Sequence, residues 1–381
     1  MNETRIPAEV FPPGEFLADE LKARGWFQTD LADILGRDDN LVSDIIRGKR
    51  GITPETAQGL ADALGTSARY WLNLDTIYRL SQIKRTDTVS RRARLFEKAP
   101  IKEMIKRNWI EGSDEIEVLE HSVTEFLGID SIEDDVDFAH AARKSTPYDE
   151  PSSPAQFAWL RRARKLAPAV DALPFSPSKV TQLVEQLRLL MESPEEIRHA
   201  PRVLADYGVR MLVLEHLEHT KIDGTTFWLN RAAPVIVLSL RYDRIDHFWY
   251  TLMHEVGHVR FGDGLEDDIA LLDIDIVADR TPLTVVQPDY ETRANEFATN
   301  AIIPTHEMED FILRVRPFYS GVRVQGFAQR MGVHAGLVVG QLQHRGEIGY
   351  ANLRRTLTPV RRFVTASGLT DGWGQNLSIA V

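Results

Sequence analysis

The sequence contains no cysteine, which excludes disulfide bonds, zinc knuckles and cysteine nucleophiles. Long hydrophobic runs are also absent: stretches such as the PVIVL of 234–238 are far too short to cross a bilayer, so no membrane partner is expected. The first residues lack a basic segment followed by an apolar core, so no signal peptide is expected. Basic residues are fewer than acidic ones, with 45 Lys/Arg against 56 Asp/Glu and a net charge of −11, which disfavours nonspecific nucleic-acid binding by the whole chain. These absences together predict a cytoplasmic protein.

A chain of 381 residues is long enough for two or three domains. Its charge is uneven, because residues 1–80 carry nine Lys/Arg against thirteen Asp/Glu, whereas residues 81–110 carry nine against three. A polar, Pro/Ser-rich stretch at 145–154 is typical of a linker. We therefore predict boundaries near residues 80 and 150, with a helical connector at 81–150, a domain at 151–355 and a tail without motifs at 356–381.

The second half of the chain changes from helical to strand-like spacing. Short, β-branched segments predict three strands, at 208–217, 224–230 and 233–240. A long helix is predicted from about Asp243 to Phe261, and another from about Asp289 to Ile303, where Pro304 follows. The acidic stretch between these helices, 262–279, is interpreted as a solvated loop.

The long helix carries the sequence HEVGH at 254–258. Residues four apart share one helix face, so His254 and His258 direct ring nitrogens toward a common metal. In the His-Glu-x-x-His pattern of zinc hydrolases, two imidazoles bind Zn²⁺ and the glutamate, here Glu255, acts on the water. Gly257 leaves room for another backbone to approach closely. The alternative is a polar-faced helix that carries these residues without a metal.

A catalytic zinc site needs a third protein ligand, which we predict on the following helix. Glu291 is the preferred residue, with Glu296 as the rival on another side of the helix. Asn295 lies one turn after Glu291 and is a candidate for a hydrogen bond to a ligating imidazole. Candidates for stabilising an oxyanion are Tyr250 and His334.

These motifs resemble the ImmA/IrrE family of zinc metallopeptidases over about residues 150–350. The resemblance is carried by HEVGH, by the strands before it, by ETRANEFATNAIIP at 291–304 and by GFAQRMGVHAGLVVGQLQHRGEIGY at 326–350. It implies an α+β, zincin-like fold with a small antiparallel sheet, a Zn²⁺ cofactor and Glu255 as the catalytic base. The chain has Arg293 where the family usually has a second glutamate, a change that is expected to spare a metal held by Glu291.

Residues 28–80 have the spacing of a helix-turn-helix, in a mainly α-helical N-terminal domain. Residues 12–80 resemble the Cro/repressor-type domain of HigA antitoxins, down to GKRGITPETAQGLADALGTSARYWLNL. In such domains the start of the third helix meets base edges and nearby cations hold phosphates. The expected DNA-contacting residues are Asp39, Asn40, Ser43, Arg47, Lys49 and Arg50.

The charge of this third helix departs from that pattern, because Asp38, Asp39 and Asp44 repel phosphate. Asp38 is also a candidate helix cap. One interpretation is an operator-binding domain that acts as a homodimer, since operators have two-fold symmetry. The other is a protein-interaction domain. The basic stretch 84–107 is interpreted as a solvated helix face or as a partner of the acidic segments at 111–137, with phosphate contacts as the alternative.

The sequence thus predicts a regulator or antitoxin-like protein with a zinc-dependent endopeptidase. Its expected partners are an operator and a protein substrate, which is a repressor, an antitoxin or the chain itself. The alternative is a non-catalytic DNA-binding antitoxin or repressor whose zinc domain is structural or sensory.

Overall fold

A computed structural model describes residues 10–83, 87–133, 142–144, 153–266, 270–274 and 288–371. The chain divides into two compact units, Met1–Val89 and Ser90–Val381. Each unit has its own hydrophobic core. Among the residues that the structure describes, no helix combines the length and apolar character needed to span a membrane.

The first unit consists of short helices: α1 Pro13–Arg24, α2 Gln28–Leu35, α3 Asp39–Ile46, α4 Pro54–Leu64 and α5 Ala68–Gln82. The turns follow from the sequence, because Gly36 adopts a left-handed conformation that ends α2 and Asp38 caps α3 by accepting a hydrogen bond from the backbone N–H of Asn40. Leu31, Val42 and Trp71 are buried in the common core. The predicted helical N-terminal domain and the capping role of Asp38 are therefore confirmed.

The remaining helices begin with α6 Thr88–Lys98, α7 Ile101–Lys106, α8 Ile116–Leu127, α9 Pro154–Leu166, α10 Val180–Leu189 and α11 Ala200–Asp206. They continue with α12 Ile245–Phe261, α13 Asp289–Ile302, α14 Thr305–Val315, α15 Gly321–Met331, α16 Ala335–His344 and α17 Arg361–Val364. The strands are β1 Ala142–Lys144, β2 Arg210–Val213, β3 Ile222–Trp228, β4 Pro234–Leu238, β5 Ala270–Ile274 and β6 Leu369–Thr370.

The strands form one sheet in the order β1-β5-β3-β4-β2-β6. β3 pairs antiparallel with both β4 and β5, but β2 lies parallel to β4. The prediction of an antiparallel sheet is therefore wrong, and the sheet is mixed. The reason is the connection 214–221, which is long enough to carry the chain from β2 past the position of β4. β3 and β4 then form a hairpin, and β2 pairs with the edge of β4 that faces away from β3.

Both faces of the sheet are covered, and the alternation of side chains along the strands separates two cores. Ile236 and Leu238 of β4 pack with α12 and the C-terminal helices, whereas Val235 and Val237 pack with α8 and α9. Burial on both faces explains why β4, PVIVL, reads as a continuous apolar run. Helix α12, which carries the histidines, lies in the first of these two layers.

Three regions pack more closely than the sequence suggested. Helices α6 to α8, within the predicted connector, contribute Leu95, Met104 and Phe126 to the core that contains Val235. Residues 356–371 of the tail contribute Val360 and a strand, β6, which pairs with β2. The stretch 262–279 was expected to be a solvated loop, but its residues 270–274 form the buried strand β5, so that expectation is wrong.

The basic stretch 84–107 pairs with the acidic residues that follow it. Arg91 donates to Glu120 at 2.9 Å from its Nε and to Glu117 at 2.8 Å. Arg94 pairs with Glu133. These ion pairs confirm the interpretation of this stretch as a partner of the acidic segments at 111–137.

Candidate metal centre and helix-turn-helix surface

Helix α12 presents the two motif histidines inside the second unit. Trp249, Leu252, Met253 and Val256, which recur at helical spacing and so share one face, are all fully buried. His254 and His258 are also buried, and their Nε2 atoms lie 2.9 Å apart. Two imidazole nitrogens this close, on successive turns of one helix, converge on the same small volume.

Helix α13 brings Glu291 to this volume. Gly257 is the reason that the helices come close, because a Cβ atom at this position would lie 3.1 Å from Phe297 and 3.2 Å from the Cα of Ala294. The predicted role of Gly257 is therefore confirmed. Glu291 Oε2 is 3.3 Å from the Nε2 of His254, and its Oε1 is 3.9 Å from that of His258. Glu296, the rival ligand, is exposed.

Asp273 is a fourth acidic or imidazole group in the cluster, and the sequence analysis did not identify it. Its Oδ2 is 3.3 Å from the Nε2 of His254 and 4.0 Å from that of His258. Ligand atoms of His254, His258, Asp273 and Glu291 all lie within 4.8 Å of one another. The signal was present in ALLDI, where two leucines precede an aspartate in a buried strand, but the surrounding acidic residues concealed it.

A second carboxylate orients His258. The Nδ1 of His258 lies 3.0 Å from Asp263 Oδ2, so that the Nε2 of His258 is left to face the cluster. Asp263 is in turn paired with the guanidinium of Arg293. Arg293 is thus placed behind a cluster imidazole, and its side chain remains 45% exposed.

Glu255 is fully buried beside the cluster and is held by the sheet. Its Oε2 accepts a hydrogen bond of 2.6 Å from the Thr226 hydroxyl. Gly224 leaves the space for this carboxylate, because a Cβ atom there would lie 2.2 Å from Glu255 Oε1. Burial, followed by the negative charge of Asp273, raises the pKa of Glu255 well above its usual range.

The cluster has more buried polar atoms than the described residues satisfy. Both carboxylate oxygens of Asp273, Oε1 of Glu255 and Oε1 of Glu291 have no hydrogen-bond partner among the described residues. Burial acts to lower the pKa of His254, but Asp273 and Glu291 outweigh it and raise that pKa to about 10. Buried carboxylates without donors are costly unless a cation compensates them, and a nitrogen and oxygen donor set of this kind suits Zn²⁺.

The other predicted site residues lie at different distances from the cluster. The Tyr250 hydroxyl donates to Asn295 Oδ1 at 2.8 Å, which links the oxyanion candidate to the residue that was expected to hydrogen-bond a ligating imidazole. The Tyr250 and His254 rings are 6.4 Å apart. His334 caps α16 by accepting a hydrogen bond from the Gly336 N–H, and its half-buried ring is next to Glu195. Within the described residues, no recorded contact joins His334 to the cluster.

The predicted DNA contacts lie on and after α3. Asp39 and Asn40 are exposed on its first turn, and Ser43 is half-buried one turn later. Arg47, Lys49 and Arg50 are exposed where the helix ends. The Asn40 amide nitrogen also donates to Asp38 at 2.8 Å, so this side chain is partly committed to the helix cap. The surface therefore combines acidic and amide groups at the helix start with cations at its end.

Comparison with known proteins assigns the first unit. The helix-turn-helix family model HTH_3 matches residues 17–71. Virulence-associated protein I of Dichelobacter nodosus is 41% identical over 69 residues. The match covers 18% of this chain and 64% of that protein, which is less than two thirds of its length. The uncharacterized HTH-type transcriptional regulator YddM of Escherichia coli (strain K12) is 30% identical over 83 residues, which are 22% of this chain and 88% of that protein.

Solved structures with likeness to this chain include the Pseudomonas aeruginosa antitoxin HigA with the higBA promoter. It is 36% identical, with a TM-score of 0.19, and the match covers 19% of this chain and 80% of that one.

Proposed function

The chain belongs, through its N-terminal unit, to the helix-turn-helix transcriptional regulators, and from this premise we propose a regulator joined to a zinc-dependent endopeptidase. The operator-binding part uses α3 and the cations after it, and the chain acts as a homodimer on two-fold DNA. The substrate is a regulatory protein such as a repressor, an antitoxin or the chain itself. This function belongs in the cytoplasm, where regulators meet DNA.

The observation that carries the endopeptidase proposal is the buried group of His254, His258 and Glu291 next to Glu255. The two imidazoles and the Glu291 carboxylate are the residues that would hold Zn²⁺. A bound zinc ion of this class supplies an activated water and polarises the peptide carbonyl. The protein must contribute a base within reach of that water, and the candidate is Glu255, which is buried beside the cluster and is not one of the three ligands.

Glu255 is built to take and hold a proton. Its Oε2 is fixed by the Thr226 hydroxyl, which leaves Oε1 as the proton-accepting atom. A carboxylate held in this way acts as a general base that afterwards passes the proton to the leaving amine. Tyr250 remains the better candidate for an oxyanion contact, because its ring is adjacent to that of His254 whereas His334 caps a separate helix.

The Glu255→Gln variant tests this proposal. It removes the base but none of the three ligands, so we expect zinc content near wild type and peptide hydrolysis reduced by a factor of about 10² to 10⁴. Hydrolysis is measured on candidate regulator proteins by mass spectrometry, and zinc by elemental analysis. The matched control is Glu296→Gln, an exposed glutamate on α13, which should change neither. Equal hydrolysis by Glu255→Gln and wild type would refute the endopeptidase.

A second candidate function is a non-catalytic regulator with a structural or sensory zinc site. The observation in its favour is Asp273, which gives the cluster four buried protein donors, as in structural zinc sites. This function predicts that Glu255→Gln retains operator binding and every regulatory effect. Zinc removal should then change DNA binding without any change in the cleavage of other proteins.

A further inference from the structure

Strand β5 is the part of the metal-binding unit whose purpose the proposed function does not explain. Its side chains alternate between the two faces of the sheet. Ala270 and Leu272 pack in the core with α8 and α9. Leu271 and Asp273 therefore project to the opposite face, where α12 lies. The pairing of Asp273 with Gly224 on β3 places it beside the glycine that accommodates Glu255.

Asp273 has the same relation to the two imidazoles as Glu291. Each carboxylate lies 3.3 Å from the Nε2 of His254 and about 4 Å from that of His258. Asp273 has no exposed surface, and neither of its oxygens has a hydrogen-bond partner among the described residues. One protonated His254 does not balance the two buried carboxylates of Asp273 and Glu291 that face it, so a bound cation is the compensation that this arrangement requires, and Asp273 is oriented as a ligand rather than as a structural side chain.

Catalytic and structural zinc sites differ in the number of protein ligands. A catalytic site keeps three and leaves a fourth position to water or substrate, whereas a structural site uses four. His254, His258 and Glu291 already supply three. Asp273, which lies next to both imidazoles and beside the glycine that accommodates Glu255, is in position to be the fourth ligand, where a catalytic site would hold a water.

We propose that Asp273 is a fourth protein ligand that closes the metal centre, and that withdrawal of β5 from β3 opens it to water and substrate. The inference rests on the proposed function, since it requires that the cluster binds a divalent ion. β5 is suited to such a movement because it has only five residues and its pairing with β3 contains a register shift between Ile222 and Gly224. Its neighbour on the other side is the three-residue β1. The endopeptidase is then autoinhibited as folded.

The test uses the full chain loaded with Co²⁺, whose visible spectrum reports coordination, and acetohydroxamate, a small ligand that needs an open position on the metal. We expect wild type to bind acetohydroxamate weakly. Asp273→Ala should bind it about tenfold tighter or more, a change of the size seen when metal surroundings are altered. Asp273→Asn, which keeps the shape of the side chain, should shift the Co²⁺ spectrum and guards against misfolding of the alanine variant.

The control is Asp310→Asn, an exposed aspartate of α14 that pairs with Arg314, which should match wild type in both measurements. If wild type and Asp273→Ala each bind one Co²⁺ and take up acetohydroxamate equally well, the closed centre is refuted while the metal site stands. If neither protein binds Co²⁺, both the metal site and the inference are refuted. Neither measurement requires a peptide substrate, so the absence of hydrolysis does not affect the result.

Discussion

Arg293 is the residue that departs from the expected third-ligand motif, and its contacts show how the chain uses this position. Its guanidinium pairs with Asp263, which in turn lies 3.0 Å from His258 Nδ1. The arginine therefore supports a carboxylate that orients an imidazole. The place of Glu291 in the cluster is consistent with the expectation that arginine at this position spares a metal held by Glu291.

Loss of the Asp263 carboxylate should weaken metal binding. We expect Asp263→Asn to lower the affinity for Zn²⁺ by about 10- to 100-fold, because His258 loses the partner that fixes its ring. The affinity is measured by competition with a chromophoric chelator. Asp310→Asn is the matched control on an exposed surface. Unchanged affinity in Asp263→Asn would show that helix packing alone orients His258.

His247 should make stability depend on pH. Burial, the largest effect, lowers its pKa from 6.5 to about 4, with Asp246 opposing and Arg244 and Arg241 assisting. Because the pKa of His247 is lower in the folded than in the unfolded state, its contribution to the free energy of unfolding is complete above pH 6.5. This contribution is lost as the pH falls toward 4. The contribution is at most about 3 kcal/mol. In urea titrations, His247→Gln should therefore lose less stability than wild type between pH 7 and pH 5.

The control for this pH effect is His306→Gln, whose side chain is 81% exposed. It should follow the wild-type pH dependence. Parallel curves for His247→Gln and wild type would mean that His247 is not held neutral in the folded protein.

At the scale of helices and strands, local patterns were sufficient for some elements and insufficient for others. Helix α12 and its core face were predictable because the spacing of His254 and His258, and of the apolar residues beside them, repeats within one helix. The order of the strands was not, because β2 pairs with β4 and not with β3, the next strand in sequence, and no local signal encodes that choice. Asp273 was missed for the same reason: only pairing with β3 brings it to the histidines.

Because the third helix of the first unit is acidic at its start and is followed by cations, we expect substitutions at its two ends to change the affinity for DNA in opposite directions. Asp39→Asn should tighten binding to duplex DNA, because it removes a charge that repels phosphate, and Arg47→Ala should weaken it and reduce the slope of binding against salt by about one. Fluorescence anisotropy at several salt concentrations measures both. Asp19→Asn, an exposed aspartate of α1, is the control. If none of the variants changes affinity, the unit is a protein-interaction domain.

At the scale of the whole molecule, the two units have separate cores and should unfold separately. Leu17, Val42 and Trp71 belong to one core, whereas the metal cluster lies within the other unit. Differential scanning calorimetry should show two transitions. Zinc in excess should raise only the transition of the second unit, by an amount that increases with the logarithm of its concentration. A single transition, or two that shift together, would contradict independent units.

The alternation along β4 has a practical consequence for observing the protein. Ile236 and Val237 are adjacent in sequence, yet the methyl groups of Ile236 face the layer of α12 and those of Val237 face α8 and α9. Selective ¹³C labelling of these two residues would give a pair of NMR reporters only one peptide bond apart. An event confined to the histidine side of the sheet should perturb the first resonance and leave the second as an internal reference.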